Sequence, residues 1–319
     1  MKRNAIFGGA VWSVLGIAAR AGKVDLNWIE LLFLFTPLVI VPLGLELTSR
    51  MEVGAVVSIP ERAARAVQIP AAALAVAAFF CAPGHLAAGL ACGWLAFCGL
   101  LAVGGVMRLA KSAYKRFDSA CAAIAFIYIS VGGAWFVASR FGLTPIGFQE
   151  PIVLLTAVHF HYAGFAAPLL ARSTGRALSP RFNGGASSTL FRGILTLVLL
   201  GPGFLAAGFV IGPRVKLLAA IILAAAEIGL AISLLFTLRN IQSVAAKLLI
   251  SISALSVIFS MAMAGLWAIG EYPLQPFVHL AEMARLHGTA NAFGFTLCGL
   301  LGWNIASAGR LTSGARSDD

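Results

Sequence analysis

The sequence is short of charge. Only 11% of its 319 residues are Asp, Glu, Lys or Arg, against about a quarter in a soluble domain. A chain this poor in charge has too little polar surface to present to water, so a soluble globular fold is excluded. Alternation of apolar and polar residues with period 2 is also missing, which argues against a transmembrane β-barrel. Cysteine is scarce and scattered. Cys81, Cys92, Cys98, Cys121 and Cys298 all fall inside apolar runs, and none belongs to a CxxC. A disulfide framework and a zinc knuckle are both poor fits, and buried thiols used for packing are the plain reading. No HExxH, histidine box, Walker motif, Rossmann glycine pattern or serine-hydrolase elbow stands in a credible context. No A-x-A cleavage site follows the first apolar run, so that run reads as a retained helix.

What is present is apolar length. The chain is 60% hydrophobic, with a mean hydropathy of +0.93. Runs of about 20 apolar residues recur from end to end, each long enough to cross a roughly 30 Å hydrocarbon core as a helix. The reading is an all-α, polytopic transmembrane helix bundle. It has about ten spans: 5–21, 27–47, 67–84, 86–107, 119–138, 151–171, 191–211, 215–238, 244–269 and 285–306. The whole chain, 1–319, reads as a single transmembrane domain. The 34 glycines suit close helix–helix contact in lipid. No internal repeat is legible in the residues.

The net charge of +11 is a topology signal rather than a nucleic-acid footprint, because the basic residues lie in short segments between apolar runs. With both termini cytoplasmic, 17 of the 23 Lys and Arg residues fall on the inner side and 6 on the outer. Nine spans would break that alternation. The segment 172–190, "RSTGRALSPRFNGGASSTL", reads as a basic cytoplasmic loop able to touch anionic lipid. Residues 311–319 read as a disordered tail. The expected location is a bacterial cytoplasmic (inner) membrane, and the expected partners are the lipid bilayer and a small-molecule or proton ligand, with no nucleic acid.

Ionisable residues inside apolar spans are costly and often functional. Glu30 lies about one turn into the second span, ahead of Pro37 and Pro42. Each proline removes a backbone donor and frees carbonyls that a polar cavity could use. His159, His161 and Tyr162 sit together in the sixth span. Residues two apart on a helix point about 200° apart, so one metal ion does not easily take both histidines. His287 and Asn291 are four apart at the start of the tenth span and share a face. Glu227 is mid-span and must be neutral or paired; the histidines and Arg192 are its candidate partners. Each of these groups has a bland reading as polar packing between helices. Under the loop-charge topology, however, Glu30, His159, His161, His287 and Asn291 all fall in the outer half of the bilayer, which suggests a polar cavity open to the extracytoplasmic side.

The segments "LTAVHFHYAGFAAPLL", "LLFLFTPLVIVPLGLEL" and "MARLHGTANAFGFTLCGLLGW" resemble the YndJ-like family of bacterial membrane proteins, over most of the chain. HFHYAGF and HGxxNAxGF are its fairly specific parts. The resemblance makes His159, His161, Tyr162, His287, Gly288 and Asn291 the matching positions. It implies a location and at most a transporter label, with no established substrate.

Three functions compete. A transporter would use the histidines with Glu30 or Glu227 to bind a solute or a proton. A membrane enzyme or cofactor protein would use His159, His161 and His287 as metal or haem ligands, or do acid–base chemistry on a lipid without metal. A sensor or assembly partner would use them only to join helices.

Overall fold

The computed structural model describes residues 1–52, 57–111, 117–178, 186–272, 275 and 277–314. Among them there is no strand, and ten helical stretches account for nearly all residues. They are α1 (Lys2–Arg20), α2 (Trp28–Met51), α3 (Ile59–Phe79), α4 (His85–Lys111), α5 (Phe117–Phe141), α6 (Ile152–Leu178), α7 (Ala186–Ile211), α8 (Pro213–Thr237), α9 (Val244–Glu271) and α10 (residues 280–314). Eight, α2 through α9, are long and apolar enough to cross a membrane. The chain divides into two compact units, Met1–Ala166 and Ala167–Asp319.

Local chemistry sets several ends. Asn27 accepts from the backbone N–H groups of Ile29 and Glu30, and Glu30 reaches back to the Asn27 N–H at 2.8 Å, a complete capping box. Ser58 caps α3 and Ser243 caps α9. Two expected boundaries shift. The third span starts at Ile59 rather than 67, because Glu61 is buried and paired, as described below. The sixth runs to Leu178, so part of the expected 172–190 loop is helix. There Ser173 and Thr174 are buried and donate to the carbonyls of Leu169 and Leu170 one turn back. Residues 179–185 of that loop lie outside the described residues. The expected tail begins inside α10, which continues to Gly314, and 315–319 lie outside the described residues.

Three helices are broken in the same way. α2, α6 and α10 each change from α to π winding part-way, at Thr36–Ile40, Phe160–Ala166 and Ala290–Leu297. They are every fourth helix. Helices α6–α9 repeat α2–α5, and the starts of α7, α8, α9 and α10 each follow those of α3, α4, α5 and α6 by about 128 positions. The packing register repeats as well. In the first unit, Tyr128 packs against Gly164 and Gly132 lies beside His161. In the second, Ser256 and Ser260, 128 positions further along, meet Gly294 and Asn291, 130 positions further along. Gly93 of α4 packs on Leu74 of α3, and Leu223 of α8 on Gly201 of α7, so a glycine meets a leucine between the corresponding helices of each copy. The chain therefore contains two tandem four-helix repeats closed by a third broken helix.

Candidate functional site

The seven sequence candidates fall in both units: Glu30, His159, His161 and Tyr162 in the first, and Glu227, His287 and Asn291 in the second.

In the first unit, the break in α2 explains two of the polar contacts. Thr36 N–H bonds back to Phe33 and Val41 N–H to Thr36. Pro37 has no N–H, so the Leu32 carbonyl has no helical donor, and the Tyr162 hydroxyl donates to it at 2.9 Å. Pro42 likewise leaves the Pro37 carbonyl open, and Gln68 Nε2 takes it at 2.9 Å while Asn4 donates to Gln68 Oε1. Gly8 permits this crossing, since a Cβ there would overlap the Leu38 carbonyl. Tyr162 is thus a backbone donor for a proline-broken helix. In Tyr162→Phe, the loss is expected to be about 1 kcal/mol of stability, read as a lower thermal midpoint in detergent; an unchanged midpoint would count against this role.

His161 is wholly buried and fully committed. Its Nδ1–H donates to the Ala157 carbonyl at 2.8 Å, and its Nε2 accepts from Trp94 Nε1 at 2.9 Å. The Phe33 ring meets it edge-on at 5.2 Å. The carbonyl four residues back is the one a π turn releases, which is why the side chain can take it. His159 is partly exposed, and its ring packs edge-on to Phe160 at 5.9 Å. Glu30 accepts from the Asn27 N–H through Oε2, as part of the capping box at the start of α2.

The same unit holds a charge cluster that the sequence reading missed. Arg108 of α4 makes bidentate contacts to two carboxylates, with Nε to Glu61 Oε1 at 2.7 Å and Nη1 to Glu52 Oε1 at 2.6 Å among them. Glu61 is 1% exposed. Gly104, one turn before Arg108, makes the space for it. Arg65 donates to the Leu45 carbonyl nearby at 3.0 Å. In sequence, Arg65 and Arg108 look like loop charges. The buried partner of Arg108 stands four positions before Arg65, and that Glu61–Arg65 spacing was the available signal of a helix there.

In the second unit, His287 and Asn291 face Ser260 of α9. His287 Nδ1–H donates to the Ser260 carbonyl at 2.9 Å, and Asn291 Nδ2 donates to Ser260 Oγ and lies 3.0 Å from His287 Nε2. Asn291 Nδ2 also reaches the His287 carbonyl, four residues back, at 3.2 Å. That repeats the bond from His161 to Ala157. Glu227 differs from all of these. It is 3% exposed, and its Oε2 has no hydrogen-bond partner among the described residues. Arg192 and the histidines, its expected partners, make no described bond to it.

Both nitrogens of His161 are taken, by Ala157 and Trp94, and His287 Nδ1 is taken by the Ser260 carbonyl. Among the described residues no group of three or more His, Cys, Asp and Glu side chains is placed to hold a metal.

Helices, breaks and buried polar contacts together define a polytopic, all-α membrane protein. A model of the YndJ-like protein family matches residues 31–295, and the chain belongs to that family. It is similar to the "Uncharacterized membrane protein YndJ" of Bacillus subtilis (strain 168), with 29% identity over 235 residues. The match covers 73% of this chain and 42% of that relative, so the chain spans less than half the length of the protein it resembles. No solved structure matches.

Proposed function

We propose that the protein is a transporter of the bacterial cytoplasmic membrane, with both termini cytoplasmic, that carries a small solute or a proton through polar centres inside its helices. The observation that supports this most is the repeat. Two copies of one four-helix unit carry π-broken helices at equivalent positions, and in secondary transporters interrupted helices at corresponding positions of internal repeats mark the binding elements. A purely structural bundle has no need to break α2, α6 and α10 alike. The excess of basic residues on one side supports the orientation. The broken helices are the natural moving parts, because a π turn holds its carbonyls through side chains that can let go.

The test needs no known substrate. Ala290→Cys places a single thiol at the start of the α10 break, in a chain whose five native cysteines are replaced by alanine. A membrane-impermeant maleimide is then applied to right-side-out and inverted vesicles. A transporter exposes the position to each side in turn, so labelling is expected from both. Labelling from one side only would sink the reading and favour a static sensor or assembly protein.

A further inference from the structure

Counted from the ion pair between α8 and α9, Glu227 and Ser260 fall near one level. Lys216 of α8 pairs with Glu271 of α9 at 2.9 Å, which ties these ends of the two antiparallel helices together. Eleven residues along each helix from that bridge stand Glu227 and Ser260. Eleven residues is close to three full turns, so each keeps the helix face of its bridging residue to within about 20°. Both are buried, at 3% and 0% exposure. Ser260 is already bonded to His287 and Asn291 on α10. Four polar side chains from three consecutive helices of one unit thus share one depth.

The first repeat shows that the fold does not require them. The positions equivalent to Glu227, Ser260, His287 and Asn291 are Gly99, Gly132, Ala157 and His161. There the π turn is held by His161 alone, against a glycine. The second repeat has a carboxyl, a hydroxyl, an imidazole and an amide in the same places. A carboxyl added to a membrane helix without a partner costs stability and therefore calls for a use.

We infer that the second unit contains a proton-binding centre at Glu227, served by Ser260, His287 and Asn291. The bonds allow a route. His287 Nδ1–H donates to the Ser260 carbonyl and lies 3.0 Å from the Ser260 hydroxyl, which accepts from Asn291 and is left with its own hydrogen, so a proton can be relayed from His287 to the level of Glu227 once the two side chains meet. His287 is partly exposed, and it is the member of the set that can exchange protons with water. A proton is the ligand that fits, because the carboxylic acid is the form that can stand unpaired in an apolar interior and no described cation is near enough to neutralise the carboxylate. The charged groups on the helices packed against α8 are Arg192 on α7, Lys247 and Glu271 on α9, and Arg172 and Arg176 on α6. By register, each stands at least a turn from the level of Glu227. The inference deepens the transporter reading and rests on it for the purpose of the centre, but proton binding can be tested by itself.

The test is labelling with dicyclohexylcarbodiimide, which reacts with protonated carboxyls in apolar surroundings. The purified full chain is treated across a pH series and mapped by peptide mass spectrometry. An adduct on Glu227 that falls as pH rises is expected, with none on Glu61, which is equally buried but paired to Arg108. Ser260→Ala and His287→Gln are expected to slow labelling or move its pH midpoint, which loss of packing alone would not do. No Glu227 adduct at any pH on folded protein, or one indifferent to pH, would overturn the inference. An unchanged pH profile in both variants would overturn the route through Ser260 and His287. The two readings fail separately. Labelled Glu227 with one-sided reactivity at position 290 removes transport and leaves the proton site, and two-sided reactivity without labelling does the reverse.

Discussion

Arg108→Ala is expected to lower the stability of the protein by about 3–5 kcal/mol. Arg108 is the shared counter-ion of Glu52 and Glu61, with distances of 2.6–2.9 Å in three of its contacts. Removing it strands two carboxylates, one of them 1% exposed. Breaking one partner of a buried ion pair is costly because the remaining charge keeps its desolvation penalty. The neighbouring Arg65 does not replace it, because its guanidinium is engaged with the Leu45 carbonyl. The check is a double-mutant comparison of thermal midpoints in detergent. Arg108→Ala combined with Glu61→Gln should recover a large part of the loss, since the stranded charge is then gone. A single variant close to wild type, or a double variant no better than the single, would show that the cluster is solvated and contributes little.

The helices are legible in the sequence because hydropathy and length alone define them. The run 86–107 corresponds to His85–Lys111, and 215–238 to Pro213–Thr237. The start of the third span is not legible, because Arg62 and Arg65 look like loop charges. Only its pairing to Arg108, 47 positions away, explains why Glu61 can lie inside a helix. The capping box is written in Asn27-Trp28-Ile29-Glu30, yet the depth of Glu30 points to a cavity while its spacing from Asn27 points to a cap. Ser260 cannot be found as a partner of His287, since a serine among apolar residues carries no signal until the register of α9 and α10 is known. The repeat is hidden for a similar reason. Its copies share helix order and packing register, while the equivalent residues differ in chemistry, as Gly99 and Glu227 do. The Gly-Phe that follows each polar residue by three, Gly164-Phe165 and Gly294-Phe295, does survive at sequence level.

The same repeat makes a sharp prediction at His161. His161→Leu fills the space but removes the donor to the Ala157 carbonyl and the acceptor for Trp94 Nε1, both in a wholly buried setting. Leaving two buried polar groups unpaired is expected to cost about 2–4 kcal/mol. His161→Asn should cost less than half of that. The second repeat already uses an asparagine in this place, where Asn291 donates to the carbonyl four residues back. The introduced asparagine can make the equivalent bond to Ala157 and would lose only the contact with Trp94, while its shorter side chain relieves the tight fit against Gly132. A catalytic or metal-binding histidine gives the opposite pattern: leucine and asparagine would abolish function alike, with little effect on folding. Thermal unfolding of the two variants side by side therefore separates a histidine that holds a π turn from one that does chemistry. If asparagine proves as damaging to the fold as leucine, then His161 and Asn291 are not equivalent and the repeat does not extend to its broken helices.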